Sequence, residues 1–573
     1  MLDRGATLGR TLKRFWPVLR PDRRAVMLAF AASLLASGFA VAAPMPVKII
    51  IDDVLQGRHP TGFPAMNGTE LVLLLATLAA VLAGLSALFS ASEKMISARL
   101  RERFTLNLRL LCLDRLMLLT PLCRGDDRSG ELGLRLVDDV QQVARLYTKT
   151  MPVIVRHGLT LLFTLAALIW ISPVLGAAAV TIALALAIMV RFAARPLQLT
   201  AKAKRVQEGR VAGFAQEILR SLSFIQSAGA EAHIRDHFEA TNRDSLGAGI
   251  NETRAAVRLE RMMQIANGLA VALIVGGGGW LALRGSVSAG DLAIAMLYLN
   301  QMLRPIEKIN ELASAISGAT SRAARLTELL DRDERLDRSG SFMSERAEGR
   351  LTLASPEFSY ADGRDFHYDA IDIPAGSLVS IEGPSGSGKS TLLALLTRLF
   401  DPQSGAIQLD GQDYRDWDLA SLRRQFAVSP QSPPLMAGSV RDWMQLGGVE
   451  ADDAKFWTAL KAVSLAEMLR ARGGLDVPLG EAGAGLSGGE QSRLALARAL
   501  AADRPVLLLD EPFANVDPVS ARVMLNALQQ ENGRRTIIVV THQPLPIEMA
   551  SMKLRMQTGR LWVIGLEQRA GAA

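Results

Sequence analysis

Four long stretches of the first 300 residues carry no charge at all. Ala25–Val47 is uncharged over 23 positions, Leu71–Ser92 over 22 and Met262–Leu283 over 22. As a helix, each is long enough to cross ~30 Å of hydrocarbon. Gly158–Val190 is uncharged over 33 positions but is interrupted by Ser172-Pro173, which predicts two helices joined by a tight turn. A chain with this pattern places its first half in a membrane. The composition agrees: 49% of the 573 residues are hydrophobic, and mean hydropathy is positive.

Charge then sets the topology. Arg10, Lys13, Arg14, Arg20, Arg23 and Arg24 precede the first uncharged run, and no small-residue cleavage site follows a short apolar core. This segment reads as a cytoplasmic N-terminus, not a signal peptide. Asp52–Glu70 is expected outside, and the arginine-rich Arg99–Lys149 and Arg195–Arg254 inside. The net charge of +7 is therefore a signature of membrane topology, and nucleic acid is not expected as a partner. Both cysteines, Cys112 and Cys123, fall in an inner loop, where a disulfide framework is not expected. The sixth expected span has the weakest pattern, with only 12 uncharged residues between Asp291 and Arg304. Its polar residues Asn300 and Gln301, with Gln264 and Asn267 of the fifth span and Arg304, are expected to face a central cavity.

Asp331–Arg350 is charged and irregular, the composition of a linker. Beyond it the character changes. Short apolar runs at Ser377–Glu382, Phe426–Val428, Val506–Leu509 and Thr536–Val540 alternate with helical stretches. They suit parallel strands covered on both faces. The expected organisation is an all-α six-helix transmembrane domain over residues 1–330, a linker over 331–348, and an α/β domain over 349–573 with a parallel core sheet and a helical subdomain.

The second half carries the chemistry. "GPSGSGKST" (Gly383, Pro384, Ser385, Gly386, Ser387, Gly388, Lys389, Ser390, Thr391) lies between an expected strand and an expected helix. It matches the phosphate-binding pattern G-x-x-x-x-G-K-[ST]. Its glycines let backbone amides close on phosphate oxygens, Lys389 meets the β- and γ-phosphates, and the Ser390 hydroxyl suits Mg²⁺. "PVLLLDE" places Asp510 and Glu511 at a strand end, where open α/β sheets bind ligands. Asp510 suits Mg²⁺ through water, and Glu511 suits activation of an attacking water. "TIIVVTHQ" ends a further strand at His542, near the expected γ-phosphate. "LSGGEQSRLALARAL", from Leu486 to Leu500, puts a serine-led glycine turn on a strong helix former. Ser487 and Glu490 have capping-box spacing, and such a helix N-terminus also suits a phosphate.

In this order, the phosphate loop, Gln431 in "VSPQ", "LSGGE", "LLLDE", "ANVD" and "TH" resemble the nucleotide-binding domain of ATP-binding cassette proteins. "LSGGE" is the most specific of these, with Glu490 where Gln is also common. The resemblance implies that Ser487, Gly488 and Gly489 meet the γ-phosphate bound by a partner domain. It implies that Tyr360 stacks on adenine, that Gln431 contacts Mg²⁺ and the attacking water, and that Asp517 belongs to the loop linking the two sites of a dimer. Gly480–Gly483 is similar to a contact loop of exporters. Phe513 stands where Thr is frequent, and Asn515-Val516 is a further departure; neither removes a group that hydrolysis needs. "PMPVKIIIDDVL", "SGELGLRLVDDVQQV" and "RPIEKINELASAISGATSRAARLTELLD" in the first half resemble the exporter branch. Short helices near Arg124–Leu132 and Ile225–His233 would then be the coupling elements.

The resemblance implies a half-transporter that binds ATP and Mg²⁺ and works as a dimer by alternating access. It would be a multi-pass protein of a bacterial-type inner membrane, with its ATPase domain in the cytoplasm. A homodimer is the first expectation and half of a heterodimer the second. Export of a lipid, a peptide or an amphipathic small molecule is expected, with import through the same fold, as in siderophore uptake, as the alternative. No peptidase domain precedes the first span, so leader processing is not expected. A soluble cassette ATPase of the DNA-repair type conflicts with the uncharged spans. A non-hydrolysing subunit conflicts with Glu511 and the intact signature.

Overall fold

The computed structural model describes residues 2–58, 60, 66–120, 129–332, 336, 338–360, 363–449, 452–480, 485–514, 516–542 and 550–566. The chain divides into two compact units, one built almost wholly of residues up to Asp331 and the other running from Arg332 onward.

The first unit is helical. Among the described residues, five helical segments are long and apolar enough to cross a membrane: Leu8–Gln56, Gly68–Leu118, Leu132–Ile171, Pro173–Arg220 and Glu231–Leu283. Ala25–Val47 is not one straight helix. It is divided into Arg23–Ala42 and Met45–Asp52, with the break at Ala43-Pro44. Pro44 and Pro46 cannot donate backbone bonds to the preceding turn, so the chain restarts there. The turn expected at Ser172-Pro173 is present. Ser172 is extended (φ −147, ψ 109), its Oγ accepts from Leu175 N–H at 3.5 Å, and Pro173 opens the next helix. Gly176 permits this tight reversal, because a Cβ there would lie 2.7 Å from the Ile169 Cα.

The sixth helix, Ala289–Asp331, is continuous over 43 residues despite Pro305, and it is not among the five apolar segments. Tertiary bonds supply what its composition lacks. Tyr298 Oη donates to the Val41 carbonyl at 2.6 Å, and Gln301 Nε2 to the Ala40 carbonyl at 3.1 Å. At one end of this helix Lys48 pairs with Asp52 at 2.8 Å and with Asp291. Asp52 also accepts from Ser288 Oγ at 2.6 Å and from Gly290 N–H at 2.7 Å. Cys112 is buried and free; Cys123 lies outside the described residues.

The second unit is built on one large sheet. Phe426–Ser429, Val506–Asp510, Thr536–Thr541, Leu378–Glu382 and Met552–Gln557 lie side by side in that order, all parallel. Four of them match the expected apolar runs to within a residue at either end. Val506 and Leu508 pack on one face with Leu392 and Leu396, and Leu507 and Leu509 on the other with Leu494 and Phe456. Covering both faces explains why these strands read as continuous apolar runs. The sheet extends further than the expected parallel core. Arg560–Leu566 runs antiparallel to Met552–Gln557, and Asp365–Tyr368, Leu351–Ser359, Ser404–Leu409 and Gln412–Asp413 continue the edge. Leu351–Ser359 alternates buried and exposed residues only in part and carries a bulge, so its pattern is hard to read in sequence. The short helices Asp453–Ala462 and Ala466–Arg472 pack beside the signature helix Gly488–Ala501.

Candidate functional site

Three adjacent parallel strands deliver the central cluster of the ATPase unit. Gln431 follows Phe426–Ser429, Glu511 follows Val506–Asp510, and His542 follows Thr536–Thr541. The middle carboxylate is held from both sides. Gln431 Nε2 donates to Glu511 Oε2 at 2.6 Å, and His542 Nε2 pairs with Glu511 Oε1. Glu511 itself has φ 49, a left-handed conformation that a non-glycine residue holds only when its surroundings impose it. Its N–H donates to the Val540 carbonyl at 2.8 Å, which fixes the turn.

The phosphate loop lies against this cluster. Lys389 Nζ donates to the carbonyls of Gly383 at 2.6 Å and Pro384 at 3.0 Å, and lies 3.4 Å from His542 Nδ1. His542 also reaches the Gly383 carbonyl at 3.0 Å and Ser385 Oγ at 3.4 Å. Burial lowers the Lys389 pKa below the usual lysine value, and the charges of Glu511 and Asp510 oppose this. Two glycines are sterically required. A Cβ at Gly383 would lie 2.2 Å from the Met556 carbonyl oxygen, and one at Gly388, where φ is 111, would lie 2.4 Å from the Phe366 ring. At Gly386 (φ 77) a Cβ would meet nothing within 4 Å, so there the backbone conformation is the constraint. Ser387 is buried and Ser390 exposed.

The helix that follows, Lys389–Leu396, begins at Gly388 with no side-chain cap. Its first amides point out with the positive end of the helix dipole, the arrangement that binds phosphate. The signature helix starts differently. Ser487 N–H donates to Glu490 Oε2 at 2.7 Å and Glu490 N–H to Ser487 Oγ at 3.3 Å, a complete capping box. That leaves the amides of Gly488 and Gly489 without a side-chain partner among the described residues.

Asp510 fits a cation. It is pushed above the usual carboxylate range by burial first and by the neighbouring Glu511 charge second. A divalent ion beside it would reverse that cost; Gln431 follows a neighbouring strand, and Ser390 is the second residue of the helix after the phosphate loop. Tyr360 Oη lies 3.1 Å from Thr391 Oγ1, which places the ring beside the phosphate loop. One face of that ring is covered by the Arg364 guanidinium at 4.7 Å.

The expected residues thus separate into two groups. Lys389, Glu511, His542, Gln431 and Ser385 meet in one cluster. Ser487, Gly488, Gly489 and Asp517 make no hydrogen bond to it among the described residues. Asp517 instead caps the helix Pro518–Glu531, accepting from Val519 N–H at 3.1 Å and Ser520 N–H at 2.9 Å. Those bonds hold its carboxyl below the usual range. Residues 481–484 of the contact loop, and Asn515, lie outside the described residues, as do 124–128 of the first coupling segment. The second short helix spans Leu222–Ser227, with a turn at Ala228-Gly229, three residues earlier than the Ile225–His233 expectation. Arg364 and Arg472 belong to no sequence motif, because arginines at loop and helix ends carry no pattern of their own.

The membrane unit contains a cavity of about 770 Å³ lined by Ser37, Lys94, Arg156, His157, Asn267, Asn300 and Gln301 among others. Arg156 bonds Ser90 and the buried Glu93, both at 3.2 Å. Gln264 is not part of this lining; its amide donates to Glu260 on its own helix at 3.4 Å. The side chain of Arg304 lies outside the described residues.

A phosphate-loop ATPase unit carried on a bundle of membrane-length helices defines an ATP-driven membrane transporter. Comparison with known proteins places it further. Residues 26–306 match the family model of the ABC transporter transmembrane region, and residues 367–514 match the ABC transporter model. The ATP-dependent lipid A-core flippase of Pseudomonas aeruginosa is 30% identical over 503 residues, 87% of this chain and 83% of that protein. The protein of the same name from Aromatoleum aromaticum is 29% identical over 544 residues, 93% and 90% of the two chains. A solved structure, that of a bacterial Atm1-family ABC exporter with ATP bound, superposes with a TM-score of 0.79 at 24% identity, covering 94% of each chain. The chain belongs to the ABC transporter family. It is an integral membrane protein that binds ATP and couples its hydrolysis to transport.

Proposed function

We propose that two copies of this chain form an exporter that moves an amphipathic lipid with an anionic headgroup to the outer leaflet of a bacterial inner membrane. The observation that carries the substrate class is the membrane cavity, where Lys94 and the Glu93-paired Arg156 stand among serine, threonine, histidine and amide side chains. Cationic groups at membrane depth are costly and mark a pathway or a binding site. The flippase relatives support the same reading, and they speak against import.

In this reading the sixth helix completes the membrane domain, and the domains are residues 1–330 and 349–573 joined by 331–348. The N-terminus and the ATPase unit are cytoplasmic. ATP binds with adenine at Tyr360 and its phosphates along Gly383–Thr391. Ser390, Gln431 and Asp510 would hold Mg²⁺, which would offset phosphate charge. Glu511 takes the proton of the attacking water, and His542 holds Glu511 and Lys389 in place. Gly488 and Gly489 offer their amides, and Ser487 its hydroxyl, to the nucleotide of the other copy. Closure on two nucleotides favours the outward-facing state and hydrolysis releases it, so differential stability of the two states moves the substrate.

The test is ATPase stimulation of the purified chain, alone, across anionic lipids, zwitterionic lipids, peptides and cationic drugs. Activation by anionic lipids is expected. Activation by peptides or cationic drugs alone overturns the lipid assignment, and inactivity of the chain without a second gene product overturns the homodimer.

A further inference from the structure

The signature turn is held from behind by a cation. Arg472 ends the helix Ala466–Arg472, and its Nη1 donates to the Gly485 carbonyl at 2.9 Å. Its Nη2 lies 3.9 Å from Glu490 Oε1. The other oxygen of Glu490 accepts the Ser487 N–H. One guanidinium therefore grips both ends of the turn, the carbonyl at its entry and the carboxylate that closes its cap.

This grip matters because the turn is conformationally loose in itself. Three of the residues from Gly485 to Glu490 are glycines, and Gly485 has φ 101. Glycine retains the most backbone freedom of any residue. The capping box ties Ser487 to its own helix, but it does not fix the chain entering the turn. Arg472 does, by way of Gly485. The identity of residue 490 fits this arrangement. A glutamine there could still accept the Ser487 amide, but only a carboxylate attracts the guanidinium as an ion. An unopposed carboxylate beside amides meant for a triphosphate would also repel it, and Arg472 neutralises that charge.

We propose that Arg472 is a positioning residue for ATP hydrolysis, holding the Gly485–Glu490 turn so that Ser487 and the Gly488 and Gly489 amides meet the other copy's nucleotide in the right orientation. The inference rests on the reading that Ser487 acts across the dimer. Arg472 is 46% exposed and Glu490 18%. An ion pair this exposed contributes little to folding stability, so its effect belongs in closure of the dimer and not in the melting temperature.

The experiment uses the full chain in lipid nanodiscs, as wild type, Arg472→Ala, Arg472→Lys, Glu490→Gln, the Ala/Gln double variant and Ser487→Arg. Four quantities are read: kcat, binding of a fluorescent ATP analogue without Mg²⁺, the fraction of nucleotide trapped by vanadate, and the melting temperature. Arg472→Ala is expected to lower kcat and trapping by about tenfold, the scale of a lost hydrogen bond from a charged group. Analogue binding and melting temperature should stay at wild-type values, and Arg472→Lys should recover part of the loss. In the Glu490→Gln background the same substitution should cost less than in wild type, because the two residues act as a pair. Wild-type kcat in Arg472→Ala alongside an inactive Ser487→Arg overturns the inference. So does a loss of kcat that merely follows a lowered melting temperature, or strict additivity of the two substitutions. An active Ser487→Arg instead overturns the cross-dimer reading beneath it.

Discussion

Gln431 and Glu511 are joined by a 2.6 Å hydrogen bond that ties the ends of two neighbouring parallel strands. His542 reaches the same carboxylate from the strand on the other side. Glu511 is thus oriented from both flanks, and its left-handed backbone is the local cost of that placement. Pre-orientation of this kind is what a general base needs.

Glu511→Gln keeps the shape of the side chain and an oxygen for Gln431 but removes the anionic base. Turnover should fall by ~10²–10⁴-fold while ATP still binds and accumulates between closed ATPase units. Asp510→Asn should instead weaken metal binding, seen as a higher Mg²⁺ concentration for half-maximal activity. Steady-state hydrolysis and nucleotide occlusion with Mg-ATP separate the two variants. A wild-type rate for Glu511→Gln would assign the base elsewhere.

The two halves were unequally legible in the sequence. The phosphate loop, Asp510, Glu511 and His542 could be placed because each follows a continuous apolar run, and such runs end where a parallel sheet binds ligands. The first span was read as one helix because hydropathy does not register Pro44 and Pro46, which divide it. The sixth helix was weak in sequence because the bonds that anchor Tyr298 and the Gln301 amide reach carbonyls over 250 positions away, at Val41 and Ala40. Asp517 was assigned to a cross-dimer loop by its motif. Its capping bonds to Val519 and Ser520 follow from local spacing, which the motif does not encode. Arg472 acts across a turn with no fixed spacing, so no pattern in the sequence identified it.

Gly388→Ala should disable the site without touching a reacting group. The added methyl would lie 2.4 Å from the Phe366 ring at a φ of 111. Strain at such positions is of order 1–3 kcal/mol, so ATP affinity should fall by about tenfold or more. Equilibrium binding of ATP measures this; unchanged affinity would show that the loop does not need this conformation to hold phosphate.

Ser487→Arg in one chain and Lys389→Ala in the other damage a single composite site in a covalently linked dimer. Both changes in one chain damage both sites. The first arrangement should hydrolyse ATP faster than the second, and equal rates would argue against a shared site.

Asn300→Cys is predicted to react with a water-soluble thiol reagent in the ATP-free protein, because Asn300 lines the membrane cavity. Labelling should decrease once ATP closes the dimer. Arg304→Cys tests whether the pathway continues toward the cytoplasm along the same helix. Absence of labelling at both positions in every state removes this helix from the pathway.

Transport itself is read most directly in proteoliposomes that carry the purified chain and a headgroup-labelled anionic lipid, with ATP and Mg²⁺ added outside. Chains whose ATPase units face the medium should move the label from the ATP-facing leaflet to the opposite one, and Glu511→Gln should not. Label that stays in place with ATP, moves toward the ATP-facing leaflet, or moves equally with Glu511→Gln contradicts ATP-driven lipid export by this protein.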